Sequence, residues 1–139
     1  MSEGFDVERF ARYGLGHGGR LGIRYHAHAP DWVELALPYS EELIGDPATG
    51  VIASGPIVAL MDMATSLAAW QKRGRFVPQA TLDLRVDYLR AARPGATVIG
   101  HGECYRLARS IAFVRGWAHD GDLADLVAHV AGTFMVTGE

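Results

Sequence analysis

The chain has 139 residues, of which 49% are hydrophobic and 21% charged, with a formal net charge of −3. That length suits one domain, residues 1–139, with one sizeable core, and the balance excludes a disordered chain. Nothing in it forms a basic stripe for nucleic acid.

The N-terminal MSEGFDVERF lacks the charged-then-apolar plan of a signal peptide. Asp6 is placed to cap a short helix, with Val7, Phe10 and Ala11 on one face and Gly14 as its stop. The glycine-rich run Gly14–Gly22 reads as a loop, so residues 1–20 form an N-terminal helix and loop. Leu21–Ala29 is extended and carries His26 and His28, and Pro30-Asp31 breaks it. Trp32–Leu37 alternates, with Trp32, Glu34 and Ala36 on one face and Val33, Leu35 and Leu37 on the other. Two paired strands follow from this. Tyr39–Gly50 reads as a loop.

A helix is expected next, with Ser54 or Gly55 as N-cap, Pro56 at the first helical position, an end near Lys72 and Gly74 beyond. It is apolar nearly all round, which calls for a wrapping of other structure. Leu82, Leu84, Val86 and Tyr88 then alternate with Thr81, Asp83, Arg85 and Asp87 as a strand. Arg93-Pro94-Gly95 turns the chain into a strand Ala96–Arg106, loosened by Gly100 and Gly102. Ser110–Ala118 is another strand, Asp120-Gly121 a hairpin turn, and Leu123–Val136 a long closing strand bulged at Gly132. Consecutive strands with short turns favour an antiparallel sheet, and one sheet around one apolar helix is an α+β architecture.

The stretch GVIASGPIVALMDMATSLAAW, Gly50–Trp70, raises a question of its own, because its one charge is Asp62. It is about as long as a membrane span, but Gly55-Pro56 interrupts it. An Asp at the centre costs roughly 2.5–3.5 kcal/mol on insertion. Asp62 shares a helix face with Val58, Thr65, Ser66 and Ala69, whose small side chains leave room for a ligand. A carboxylate in apolar surroundings is poorly hydrated, which raises its pKa and suits a general base. The helix start offers free N–H groups at Ser54 and Gly55, and fixed donors of that kind stabilise an oxyanion by roughly 2.7–4 kcal/mol each.

The layout resembles the hot-dog fold, an antiparallel sheet wrapped around one long central helix. Gly50–Asp62 resembles the phenylacetyl-CoA-type (PaaI-like) acyl-CoA thioesterases, which carry G-x-x-H-G-G-x-x-x-x-L-x-D into that helix. Gly50, Gly55, Leu60 and Asp62 match. Ala53 stands where the family has His, and Ser54 replaces the first paired glycine. The resemblance continues through Ala80–Asp83 and Tyr88–Ala91 and covers most of the chain beyond Leu21. It implies hydrolysis of an acyl- or aryl-acyl-CoA thioester, with Asp62 as base or nucleophile and Ser54 and Gly55 as oxyanion donors. Thr81 would hold the attacking water. It also implies a homodimer or homotetramer with the site at a subunit interface, no cofactor beyond the CoA of the substrate, and no metal. Asp46 lies near a family Asn. Val58, Met61, Thr65, Ser66 and Trp70 are candidate pocket residues, and Arg106 and Arg109 candidate partners for CoA phosphates.

Other features have plainer readings. Gly14-Leu15-Gly16-His17-Gly18-Gly19 matches G-x-G-x-x-G but precedes a strand, the reverse of a dinucleotide fingerprint. His17-Gly18-Gly19 mimics the thioesterase motif but is expected to open no helix. His26 and His28 share a strand face without a third metal ligand. His129 reads as a core residue, and the single cysteine, Cys104, as a buried inert thiol. A lone cysteine fits a reducing cytoplasm. On alternation alone Thr81 faces solvent. A non-catalytic acyl-CoA-binding module is the rival reading, and a hydratase would want a His/Asp or His/Glu pair near the tunnel.

Overall fold

The computed structural model describes residues 4–13 and 15–138. Asp6 caps α1 (Val7–Tyr13) as expected, its Oδ1 accepting from the Arg9 N–H at 3.0 Å. Gly14, the expected stop, lies outside the described residues. The glycine-rich run is not all loop: His17–Arg20 forms a one-turn helix, α2, so His17-Gly18-Gly19 does open a helix. Two strands follow, β1 (Arg24–Ala29) and β2 (Trp32–Leu37). β1 is bulged at His26, which pairs Tyr25 with His28 through a 2.8 Å hydrogen bond instead of setting His26 beside His28. The segment read as loop holds a 3₁₀ turn (Glu41–Leu43) and a small pair of strands, β3 (Ile44–Asp46) and β4 (Val51–Ile52).

The long helix α3 spans Ser54–Arg73 and ends on Gly74, whose φ of 77° makes the left-handed cap that glycine suits. Four strands close the chain: β5 (Gln79–Tyr88), β6 (Val98–Leu107), β7 (Ile111–His119) and β8 (Ala128–Val136). The six long strands form one antiparallel sheet in the order β1-β2-β6-β7-β8-β5. The α+β layout read from the pattern is therefore present. The Asp120-Gly121 hairpin is not, because residues 120–127 form a longer loop before β8.

The helix lies in the hollow of the sheet, and the glycines read as loosening β6 explain how. A Cβ at Gly100 would sit 2.7 Å from Leu60 Cγ, and one at Gly102 would sit 2.6 Å from the Ala64 carbonyl carbon. A Cβ at Gly116 on β7 would meet the His101 carbonyl oxygen of the paired β6 first, with Met61 Cε 3.1 Å away. Bare backbone at these points lets Leu60, Met61, Ala64, Leu67 and Ala68 bury completely. Burying a large apolar side chain contributes about 1.5–3 kcal/mol.

The outer face of the sheet is polar and aromatic. His101 is buried there, its ring stacked on Trp117 at 4.2 Å, with Nδ1 2.8 Å from Glu34 and Nε2 3.1 Å from Glu103. His129, read as core, is exposed on the same face, because β8 turns its even-numbered neighbours Ala128 and Val130 inward.

One irregularity matters for function. β5 and β8 pair Thr81 with Phe134 and then Asp83 with Thr133, which leaves Leu82 as the unpaired residue of a bulge. The bulge is on β5, not at Gly132. A bulge re-aims the side chains beside it. Thr81 therefore leaves the face of Asp83 and Arg85 and turns toward α3.

The chain beyond β5 is clamped. The fully buried Asp120 carboxylate takes the Arg90 guanidinium at 2.6 and 2.8 Å and the Arg93 N–H at 2.8 Å. The bond from Arg90 holds the Asp120 carboxyl well below the usual carboxylate range. Such a group stabilises the fold above the unfolded carboxylate value of about 3.9, and that stability is lost as pH falls below it.

Two outcomes are expected in urea denaturation. Gly102→Ala, whose methyl meets helix backbone, costs about 1–3 kcal/mol. Asp120→Asn destabilises the fold near neutral pH by leaving the half-buried Arg90 guanidinium short of its charge partner, and its gap from the parent narrows as pH drops below about 4.

Candidate active site

Ala53, not Ser54 or Gly55, is the N-cap of α3, and it supplies no side-chain cap. Pro56 thus falls at the third helical position, where its missing N–H is still harmless. The Ala53 N–H donates to the Leu43 carbonyl at 2.8 Å, and Gly45 packs against Ala53. Among the described residues, nothing accepts from the N–H groups of Ser54 and Gly55. Both residues are exposed, and a Cβ built on Gly55 would meet no atom within 4 Å. The helix therefore opens on two free donors and an unfilled space at its positive dipole end.

Asp62 is half-buried two turns further on. Its surroundings in the single chain are less apolar than the sequence suggests. The re-aimed Thr81 donates from Oγ1 to Asp62 Oδ1 at 2.8 Å. No described residue donates to Oδ2. One oxygen is thus fixed and the other is open, the arrangement a base or nucleophile needs.

Tyr88, at the far end of β5, reaches the same helix. Its hydroxyl donates to the Ser54 carbonyl at 2.8 Å. Burial pushes the Tyr88 phenol up from its ordinary range, so it stays a donor near neutral pH. Sequence reasoning read Tyr88 as part of an alternating strand and of the family resemblance, and gave it no role in the site. A polar-tipped aromatic at a strand end was the available signal.

The other predicted residues divide. Val58 is 37% exposed on the helix face of Asp62, and Ser66 is half-buried on it, its carbonyl accepting from Gln79 Nε2 at 3.0 Å. Thr65 is not a pocket residue. It is fully buried, its hydroxyl donating to the Met61 and Asp62 carbonyls at 2.7 and 3.2 Å. Met61 belongs to the core, and Trp70 packs with Phe5, Phe10 and Phe76 at the other end of the helix. Asp46 lies beside the helix entrance, but its carboxylate closes its own turn, accepting from the Ala48 N–H at 3.0 Å and the Thr49 hydroxyl at 2.8 Å. Arg106 and Arg109 are exposed at the C-terminal end of α3, remote from its start. Cys104 is fully buried, and burial pushes its thiol up, as an inert cysteine requires.

Among the described residues, no three His, Cys, Asp or Glu side chains gather as metal ligands. The His101–Glu pairs lie on the face of the sheet away from α3 and Asp62, so they do not answer a hydratase's need. No helix among the described residues is long and apolar enough to cross a membrane.

A family model described as the thioesterase superfamily matches residues 49–127, the span from the turn before α3 to the loop before β8. The chain belongs to the thioesterase superfamily. Its hot-dog fold, an antiparallel sheet around a 20-residue helix, agrees. A curated relative from Escherichia coli, the medium/long-chain acyl-CoA thioesterase YigI, is 25% identical over 84% of this chain and 82% of its own. A solved Pseudomonas aeruginosa protein is 38% identical, covering 93% of this chain and 95% of that one, with a TM-score of 0.82. A putative thioesterase from Ralstonia eutropha, a phenylacetic acid degradation-related protein, shares the fold at 24% identity. It covers 94% of this chain and 98% of that one, with a TM-score of 0.78.

If the space at Gly55 admits substrate, Gly55→Ala leaves the fold within about 1 kcal/mol of the parent, since alanine is the better helix former. Thioester turnover falls about tenfold or more, about 1.4 kcal/mol on the barrier, because the added methyl crowds the substrate while the backbone N–H remains. Thermal unfolding beside steady-state kinetics checks both.

Proposed function

We propose that the protein hydrolyses an acyl-CoA or aryl-acyl-CoA thioester to the free acid and CoA. The observation that carries this reading is the Thr81–Asp62 bond of 2.8 Å, which leaves one carboxylate oxygen open on a helix that begins with free N–H donors. Asp62 takes a proton from water, and the resulting hydroxide adds to the thioester carbonyl. The N–H groups of Ser54 and Gly55 hold the oxyanion that forms. Its collapse breaks the carbon–sulfur bond, and the CoA thiolate takes the proton back. Thr81 holds Asp62 in place, and its oxygen can still accept from the attacking water. Attack by Asp62 itself, through an anhydride that water then opens, uses the same atoms. The reaction asks for no metal or redox cofactor. Arg106 and Arg109 remain candidates for the CoA phosphates, and Asp46 for a contact at the helix entrance.

Helix geometry supports a site shared between two chains. Ser54 and Asp62 are eight residues apart, about 12 Å along an α-helix. An oxyanion donor must lie near 3 Å from the carbonyl oxygen. One helix therefore does not serve one carbonyl with both groups, whereas a second chain running the other way brings its own helix start to Asp62. The edge position of β5 and its neighbours favours such a pairing, with Leu82 54% and Leu89 56% exposed beside the site. A homodimer is the smallest such assembly, and a homotetramer contains it. A cytoplasmic setting suits an acyl-CoA substrate and a reduced Cys104.

Asp62→Asn is expected to cut thiol release from a panel of acyl-CoAs by about a thousandfold or more, in the range for loss of a general base. Mixing Asp62→Asn chains with Gly55→Ala chains restores part of the activity if sites are shared. Turnover that survives Asp62→Asn sinks the reading. Tight binding with no turnover in the parent, unchanged by the substitution, supports instead a non-catalytic acyl-CoA-binding module, which the bare Ala53 at the helix entrance would suit.

A further inference from the structure

We infer that Tyr88 is a positioning residue that strengthens the Gly55 N–H as an oxyanion donor, an inference that rests on the role proposed for Gly55. The Tyr88 hydroxyl donates to the Ser54 carbonyl at 2.8 Å. That carbonyl and the Gly55 N–H are two ends of one peptide unit, because the carbonyl carbon of Ser54 is bonded to the nitrogen of Gly55. The unit is planar, so a bond that fixes its oxygen also fixes the direction of its N–H. Electron density drawn toward the oxygen leaves the nitrogen more positive, and chained hydrogen bonds polarise one another in this way.

The neighbouring donor lacks this support. The Ser54 N–H belongs to the peptide unit of the Ala53 carbonyl, and no described side chain donates to that oxygen. Pro56 removes the next donor altogether. Of the two free N–H groups at the helix start, Gly55 thus has an outside bond on its own amide, and open space lies where a side chain on its α-carbon would stand. A carbonyl oxygen offers two lone pairs, so the tyrosine need not displace the helical bond.

β5 consequently meets α3 twice, through Thr81 at Asp62 and through Tyr88 at Ser54. One strand orients both halves of the chemistry. The clamp of Arg90 on Asp120 follows directly after Tyr88 and holds that end of the strand.

The test uses the full-length protein with an acyl-CoA that it turns over. Tyr88→Phe keeps the ring and removes only the donor. It is expected to lower kcat about fivefold, the scale of one hydrogen bond, with KM changed less than about twofold. The Gly55 amide proton should move upfield in the same variant. Fluorinated tyrosines placed at position 88, assayed where every phenol stays protonated, should raise kcat as the phenol becomes more acidic. A Tyr88→Phe enzyme with parental kcat overturns the inference. So does a loss of kcat with no dependence on phenol acidity, which marks a merely structural role. Asp62→Asn, run alongside, separates the two levels. If that variant remains active, the hydrolytic reading itself has failed; if it is dead while Tyr88→Phe is unaffected, only the role of Tyr88 has.

Discussion

At Gly100, Gly102 and Gly116 the sheet presents bare backbone beneath α3, and Leu60, Met61 and Ala64 occupy the space that side chains would otherwise fill. A methyl group at Gly100 or Gly102 pushes the helix outward, and one at Gly116 meets the His101 carbonyl of the neighbouring strand first. The close seat has two consequences. It buries the apolar inner side of the helix completely, and it fixes the height at which the opposite side stands above the sheet. Asp62, Val58 and Ser66 lie on that outer side, and their positions follow from how tightly the inner side is held.

The site is then completed by an edge strand with a defect in it. Were β5 regular, Thr81 would share a face with Asp83 and Arg85 and point away from the helix. The extra residue Leu82 inverts that parity, and the threonine hydroxyl arrives at the carboxylate. The strand past the bulge resumes its alternation, which carries Tyr88 back to the first turn of α3. The Arg90–Asp120 pair anchors the end of the strand, where the next segment leaves the sheet. Packing at the glycine floor and pairing at the bulge together decide where two oxygens and two amide hydrogens stand.

The proposed chemistry separates its parts along a rod. The donors sit at the start of the helix and the carboxylate about two turns further on, a spacing too long for one carbonyl and well matched to two rods lying side by side. The exposed apolar residues beside β5 and the open edge of that strand are the surfaces such a pairing would use. The outer face of the sheet, with His101 held between Glu34 and Glu103, has no part in this arrangement.

Much was legible without coordinates. The all-round apolar helix, the period-two strands and the lone acid in an apolar run each announce themselves through local pattern, because burial on a helix or a pleated strand has a fixed spacing. Those patterns, with the spacing of Gly50, Gly55, Leu60 and Asp62, were enough for the fold and for singling out Asp62 as a candidate. Pattern failed where one residue changed the count. Thr81 is exposed, as its alternation suggests, but its sharing a face with Asp83 and Arg85 failed because an unpaired Leu82 leaves no mark in composition, and the bulges at His26 and Leu82 exist only through the registers of their partners. Gly100 and Gly102 read as weakness because a glycine's neighbour across the core is not in its own segment. Thr65, on the right face by helical periodicity, is fully buried with its hydroxyl turned back onto the helix carbonyls. Local spacing is set by bonded geometry and is written along the chain. Which strand lies opposite which, and with what offset, is a long-range choice that only the assembled packing makes.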